Sequence, residues 1–239
     1  MTFKRSLPKK AAKRRTINQE AAQLLEGQVT VFDGIRTVIN PLGMEAYSQD
    51  ARCLAMGVLL VALGGQTFLP PSDDCDKALV HICGQGATGR MNLSRCIIQR
   101  STSTAMIYRE MRSLPDVMVA AGEEIIWDGR YTIVNGRENA IRISACGDDG
   151  LSVLQSAGLE NIHRASVKSS PALWLQDVII GIPAIKDHAK VPAGIQVTRH
   201  VALFDHILSE YEQVLAASVA KLFGLQGYKR FPVNQIHKN

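Results

Sequence analysis

The fold turns on residues 108–134, YREMRSLPDVMVAAGEEIIWDGRYTIV. An arginine-bearing piece with Arg109 and Arg112 runs into a break at Pro115. A Gly122-Glu123-Glu124 turn follows, and then two apolar runs hinged on Asp128-Gly129. An Asp-Gly pair between apolar runs is the strongest short-range signal for a β-hairpin, because both central residues of the favoured turn need positive φ. Trp127 and Tyr131 flank that turn. Nothing in the stretch is a catalytic motif.

Outward toward the amino terminus, the Ala- and Leu-rich segment Lys9–Gly27 reads as a helix with Gly27 as its stop. Gln28–Asn40 alternates around Asp33-Gly34 and reads as a small hairpin. Ser48 is placed to cap a helix that runs to Leu63 and stops at Gly64-Gly65. Leu54, Val58, Leu59 and Val61 make that helix apolar nearly all round, so it belongs in a core. After Pro70-Pro71, Ser72 with Asp73, Asp74 and Asp76 opens a helix ending near Gly84, acids at its positive end.

The texture changes at Gly84–Gly89. Short strands are expected at Asn92–Gln99, Ala105–Tyr108, Ile125–Trp127, Tyr131–Val134 and Ala140–Ala145. A short helix follows at Leu151–Ala157, then a hairpin of Ala172–Leu175 with Val178–Ile182. Leu208, Tyr211, Leu215, Val219 and Leu222 recur at helical spacing and predict a long last helix from Asp205 to Phe223, ended by Gly224. The tail Tyr228–Asn239 reads as loose. The fold class expected is therefore α+β, with a boundary near Gly86. Residues 1–85 form a small helical domain, and residues 86–239 form a mixed α/β domain with short strands and the long last helix.

The net charge of +5 is unevenly spread. Met1–Arg15 carries seven bases and no acid, and the rest of the chain is slightly acidic. Arg90, Arg95, Arg100, Arg109 and Arg112 form a second excess, opposed only by Glu110. The planar guanidinium fork suits phosphate. Two basic groups on a near-neutral body point to a polyanion touched at defined places, or to a solvated terminus and scattered surface arginines. The five cysteines are odd in number and include no CxxC, and no secretory signal opens the chain, which fits free thiols in the cytoplasm. The longest apolar run, Leu54–Leu63, is too short to cross a bilayer, so no membrane association is expected.

Gly84-Gln85-Gly86-Ala87-Thr88-Gly89 matches GxGxxG, but that motif needs a strand entering and a helix leaving, and here the order is reversed. Cys75, His81 and Cys83 fit no common zinc spacing. His188, His200 and His206 form no metal-binding motif, and no nucleophile elbow or Walker A loop occurs. Asp148-Asp149 reads as a helix cap. Trp127 and Trp174 read as core or interface aromatics. No catalytic residue and no metal ligand is identified.

Several stretches, in order, resemble the carboxy-terminal two thirds of bacterial tRNA(Ile)-lysidine synthetases. They are Arg14–Met44 with Val38-Ile39-Asn40-Pro41-Leu42, Leu60-Val61-Ala62-Leu63-Gly64-Gly65 before Pro70-Pro71, and Leu93-Ser94-Arg95-Cys96-Ile97-Ile98. Tyr108-Arg109-Glu110, Leu114-Pro115 and Trp127-Asp128-Gly129-Arg130-Tyr131 follow, then Pro171-Ala172-Leu173-Trp174 with Ile182-Pro183, and the last helix up to Leu222-Phe223-Gly224. Together they cover roughly residues 10 to 225, and the WDGR stretch is the most distinctive.

The resemblance implies a ligase of tRNA modification. It uses ATP with Mg to adenylate C2 of the first anticodon cytidine of tRNA(Ile) with anticodon CAU, and lysine then displaces AMP. The family's catalytic domain carries an SGGxDS loop that this sequence lacks; Gly64-Gly65 is the nearest glycine pair. Met1 falls where the resemblance would place the start of the middle domain, so a fragment or a shortened reading frame is expected. The remaining domains would hold tRNA without catalysing, and no cofactor is expected on them. Charge points to Lys9, Lys10, Lys13, Arg14, Arg15, Arg90, Arg95, Arg100, Arg109 and Arg112 as tRNA contacts. Arg130 joins them because, like Arg109, it sits inside a resembling stretch. The alternative is a protein–protein or homodimer module using the helix Tyr47–Leu63 and the two tryptophans, or an inactive remnant.

Overall fold

The computed structural model describes residues 6–84, 88–185, 191–206 and 208–225. The expected loose tail Tyr228–Asn239 lies outside them. The fold is α+β, and every strand pairing in it is antiparallel.

Helix α1 spans Ser6–Gln28. Its second half buries Ala21, Ala22, Leu24 and Leu25, the face that the alanine and leucine spacing sets up. Strands β1 (Val29–Phe32) and β2 (Arg36–Ile39) follow. Asp33 and Gly34 between them have φ of 52° and 67°, and the Ile35 N–H donates to the Phe32 carbonyl at 3.0 Å. That is the turn Asp-Gly favours. After the short α2 (Pro41–Met44), helix α3 spans Gln49–Gly64. The Ser48 side chain caps it by accepting from the Ala51 N–H, and Gly65 ends it in the left-handed conformation. Residues 55–64 of α3 are all buried, as an all-round apolar helix requires. Helix α4 is Ser72–Cys83, with Asp73 and Asp74 in its first turn.

Strands β3 (Gly89–Leu93), β4 (Cys96–Arg100) and β5 (Ala105–Arg109) join β1 and β2 in a five-stranded sheet ordered β1-β2-β5-β4-β3. Strands from both sides of position 86 share this sheet. The single strand expected over Asn92–Gln99 is instead a hairpin turning at Ser94 and Arg95, with φ of 49° and 63°. No Gly, Asn or Asp announces that turn. Arg95 is held there by bonds to Asp128 and to the Gly65 carbonyl.

The remaining strands are β6 (Val117–Val119), β7 (Glu124–Trp127), β8 (Tyr131–Asn135), β9 (Ile141–Ala145), β10 (Pro171–Leu175), β11 (Val178–Gly181) and β12 (Ile195–Arg199). They form a four-stranded sheet ordered β11-β10-β9-β6 and a three-stranded sheet ordered β12-β8-β7. Helices α5 (Gly147–Ser156) and α6 (Arg164–Lys168) lie between β9 and β10. Strands β6 and β12 and helix α6 were not anticipated. The last helix, α7, begins at Glu210 rather than Asp205. Ser209 and Glu212 form a capping box there, and a 3-10 turn, Ala202–Phe204, occupies the residues before it.

Two cores result. One joins α1, α3, α4 and α7 to the inner face of the first sheet. The other fills the space among the second and third sheets, α5 and α6, with Ile35 reaching in from the first hairpin. The two helices at the ends of the described chain pack together. Arg15 pairs with Glu210 and Glu26 with Lys221, so α7 runs alongside α1 in the same direction. Trp127 lies in the second core and α3 runs through the first.

Candidate nucleic-acid interface

The Trp127-Asp128-Gly129-Arg130 turn is the junction of the two cores. Asp128 and Gly129 have φ of 51° and 67°, and the Arg130 N–H donates to the Trp127 carbonyl at 3.0 Å. The turn presses against the end of α3. A Cβ on Gly65 would overlap the Asp128 carbonyl oxygen, and one on Gly64 would overlap the Ser94 carbonyl oxygen. The double glycine is thus where two hairpin tips dock on a helix C-terminus.

The Asp128 side chain is fully buried and receives three arginines. Arg109 grips it with Nε to Oδ2 and Nη2 to Oδ1, both at 3.1 Å. The remaining Nη1 donates to the Arg95 and Glu110 carbonyls. Arg130 donates from Nε to Oδ2 at 2.6 Å and from Nη2 to the Ser169 carbonyl, its guanidinium between the rings of Trp127 and Tyr131. Arg95 reaches the same carboxylate from its hairpin tip. Burial drives the Arg130 guanidinium below its ordinary pKa, and Tyr131 and Asp128 oppose that shift. One carboxylate against three guanidiniums leaves net positive charge. The carbonyls at the α3 C-terminus help balance it, Gly65 accepting from Arg95 and Ala62 from Arg199. Arg199 also donates to the Gly34, Arg130 and His200 carbonyls and stacks on Tyr131 and Phe223.

The expected arginines differ in where the structure places them. Arg109 and Arg130 are both 0% exposed, so they hold the fold and present nothing to a polyanion. Arg95 is partly exposed but engaged at the same hub, and Arg100 donates to the Ser101 and Thr104 carbonyls of its own loop. Arg90 and Arg112 are exposed. The Arg90–Arg112 group is therefore not one patch.

The amino-terminal group is different. The Lys9 side chain lies outside the described residues. From Lys10 to Thr16 every residue of α1 is exposed, on all sides of the helix, and burial begins only at Ile17 and Asn18. The first part of α1 is therefore an exposed basic arm carrying Lys10, Lys13, Arg14 and Arg15, touching the body only through side chains. Lys13 pairs with Asp50 at 2.8 Å and Arg15 with Glu210 at 3.0 Å, both between largely exposed side chains. Such pairs contribute roughly 0–1 kcal/mol and exchange readily for another anion.

Among the described residues the glycine motifs show no nucleotide cradle. Helix α4 enters Gly84 and strand β3 leaves from Gly89, the reverse of a phosphate-binding loop; Gln85, Gly86 and Ala87 lie outside the described residues. Gly64-Gly65 is filled by two turns and sits at the wrong end of a helix for an anion. Among the described residues no three His, Cys, Asp or Glu side chains converge as metal donors. Burial pushes the thiols of Cys53, Cys96 and Cys146 up to about 12, so none of the three is a ready nucleophile. Among the described residues no helix is long and apolar enough to cross a membrane.

The residues that sequence reasoning missed are Asp128 as a charge hub, Arg199 as a clamp, and Arg36 and His163 on the outer side of the first sheet. The alternation of β2 was the available signal for Arg36. Nothing local marked the others.

No family model matches the chain. The tRNA(Ile)-lysidine synthases of Brucella canis and Brucella suis are each 30% identical to it over 184 residues, 75% of this chain and 41% of theirs. That of Brucella ovis matches to the same extent. The chain therefore resembles the tRNA(Ile)-lysidine synthases across three quarters of its own length while spanning 41% of theirs.

Proposed function

We propose that this chain is a tRNA-holding part of a tRNA(Ile)-lysidine synthase, corresponding to that family's middle and carboxy-terminal domains. In the whole enzyme the reaction would join lysine to C2 of the first anticodon cytidine of tRNA(Ile) with anticodon CAU, at the expense of ATP. Among the described residues no phosphate cradle is found, and no chemical step is assigned to them. By itself this chain binds and does not ligate.

The observation that carries the reading is the arm of α1. Lys10, Lys13, Arg14 and Arg15 stand on two helical turns exposed all round, with no acid among them. Charges so placed are free to exchange weak surface partners for phosphates, releasing condensed counterions from the RNA. Contacts of this kind position an RNA, and its shape does the selecting.

The test is a titration of the chain with tRNA(Ile) carrying the CAU anticodon, beside an unrelated tRNA, at several salt concentrations. The expected result is log-linear weakening with salt, by a slope of several phosphate contacts, and a preference for tRNA(Ile). Absence of binding at low salt would overturn the reading.

A further inference from the structure

The outer face of the first sheet carries a cluster that neither core uses. Arg36 on β2 pairs in register with Tyr108 on β5, and Tyr108 with Ile97 on β4. Ile97 pairs with Asn92 on β3, and Arg90 lies two residues before Asn92 on that same face. His163, the N-cap residue of α6, sets its ring edge-on to Tyr108 at 4.8 Å between centroids. Four segments thus place Arg36, Arg90, Tyr108 and His163 on one face, Tyr108 and His163 in contact and both arginines close enough for their charges to be felt at His163.

All four are donors facing outward from the sheet. Tyr108 is 1% exposed, yet its hydroxyl has no hydrogen-bond partner among the described residues. A buried donor left so is costly unless something else accepts from it. His163 Nδ1 accepts from the Ser166 N–H at 3.2 Å, so the neutral ring carries its proton on Nε2. Burial, and then the charges of Arg36 and Arg90, hold His163 below the usual imidazole range and therefore neutral. Neither Arg36 nor Arg90 forms an ion pair among the described residues. The nearby Glu110 carboxylate is taken by the Asn92 amide at 3.0 Å, and Asp33 sits exposed at the tip of the first hairpin.

We propose that Arg36, Arg90, Tyr108 and His163 form a notch that receives one phosphodiester of a bound RNA. Two guanidiniums, a hydroxyl and an imidazole N–H match an anion with several oxygens, and they suit phosphate better than a lone carboxylate. The proposal rests on the tRNA-holding reading and adds to it a second, built contact away from the α1 arm.

The test compares wild type with R36Q/R90Q and with Y108F in the tRNA titration, with thermal unfolding as a control. The double variant is expected to bind roughly tenfold more weakly and to lose about one from the salt slope. Y108F removes only a hydroxyl, and is expected to weaken binding severalfold at an unchanged slope. Inorganic phosphate is the independent probe. It should shift the His163 imidazole resonances saturably in wild type and not in R36Q/R90Q.

If wild type binds tRNA and R36Q/R90Q keeps its affinity and slope, the notch is overturned while the tRNA reading stands. If wild type binds no tRNA, the RNA reading falls, and the RNA phosphodiester falls with it as occupant. If His163 does not respond to phosphate, the anion site itself is overturned.

Discussion

The arginines around Asp128 and the bases on the α1 arm differ in burial, and burial assigns them opposite work. At the hub, Arg109 and Arg130 are sealed from water and donate to one carboxylate and to carbonyls, while Arg130 Nη1 is left without a hydrogen-bond partner among the described residues. On the arm, Lys10, Lys13, Arg14 and Arg15 stay hydrated, Lys13 and Arg15 pairing with exposed carboxylates and Arg14 with the Tyr211 hydroxyl. A buried charge is expensive to leave unpaired, so the hub is a device for fixing geometry. An exposed charge adds little to stability and remains available to a partner. Basic residues in one sequence are thus divided by burial into scaffold and surface.

The contrast breaks most sharply at Asp128. Asp128→Asn keeps the shape of the side chain and removes the only carboxylate shared by Arg95, Arg109 and Arg130. The expected loss is about 3–5 kcal/mol, because two fully buried guanidiniums lose their counter-charge. Denaturant unfolding measures it. A loss below about 1 kcal/mol would mean that the α3 carbonyls alone balance the cluster.

Gly65→Ala comes next. The residue sits at φ 67°, and an added Cβ would meet the Asp128 carbonyl. Strain of this kind costs about 1–3 kcal/mol, and here it would also push the two cores apart at their junction. Wild-type stability in this variant would show that the turn does not dock on the helix end. Ser209→Ala removes one half of the capping box that starts α7, for about 1 kcal/mol. Its effect should leave the hub untouched, and the additivity of S209A with D128N checks that the two sites are independent.

How much of this was legible depends on whether the cause was local. Asp33-Gly34 and Asp128-Gly129 announced their hairpins because the residues at the tips are those that tolerate positive φ. Ser94-Arg95 adopts a similar turn for a distant reason, the grip of Asp128 and Gly65 on Arg95, and so it read as continuous strand. Strand β12 was missed although Ile195-Gln196-Val197-Thr198 carries the period-two alternation of a strand; its pairing with β8, far back in the sequence, completes it. The early start expected for the last helix came from apolar spacing that includes Leu208, whereas the capping box of Ser209 with Glu212 sets the actual start. The basic amino terminus was readable, since seven bases without an acid in Met1–Arg15 need no tertiary structure to be noticed. The fate of Arg109 and Arg130 was not. Counting charge in a window tells nothing of a carboxylate that folding brings beneath it.

The smallest effect on stability is expected where the effect on binding should be large. Replacing Lys10, Lys13, Arg14 and Arg15 together by Gln removes four charges from helix surface that is exposed on every side. Gln is nearly as good a helix former as Lys or Arg, and two exposed ion pairs are lost, so unfolding should shift by no more than about 1 kcal/mol. In the tRNA titration the same variant should lose several units of salt slope, close to one for each phosphate contact removed. If stability falls by as much as in D128N, the arm is part of the scaffold and its contrast with the hub disappears. If stability and slope both hold, the arm is a solvated terminus, and whatever RNA affinity the chain has must come from the sheet face instead.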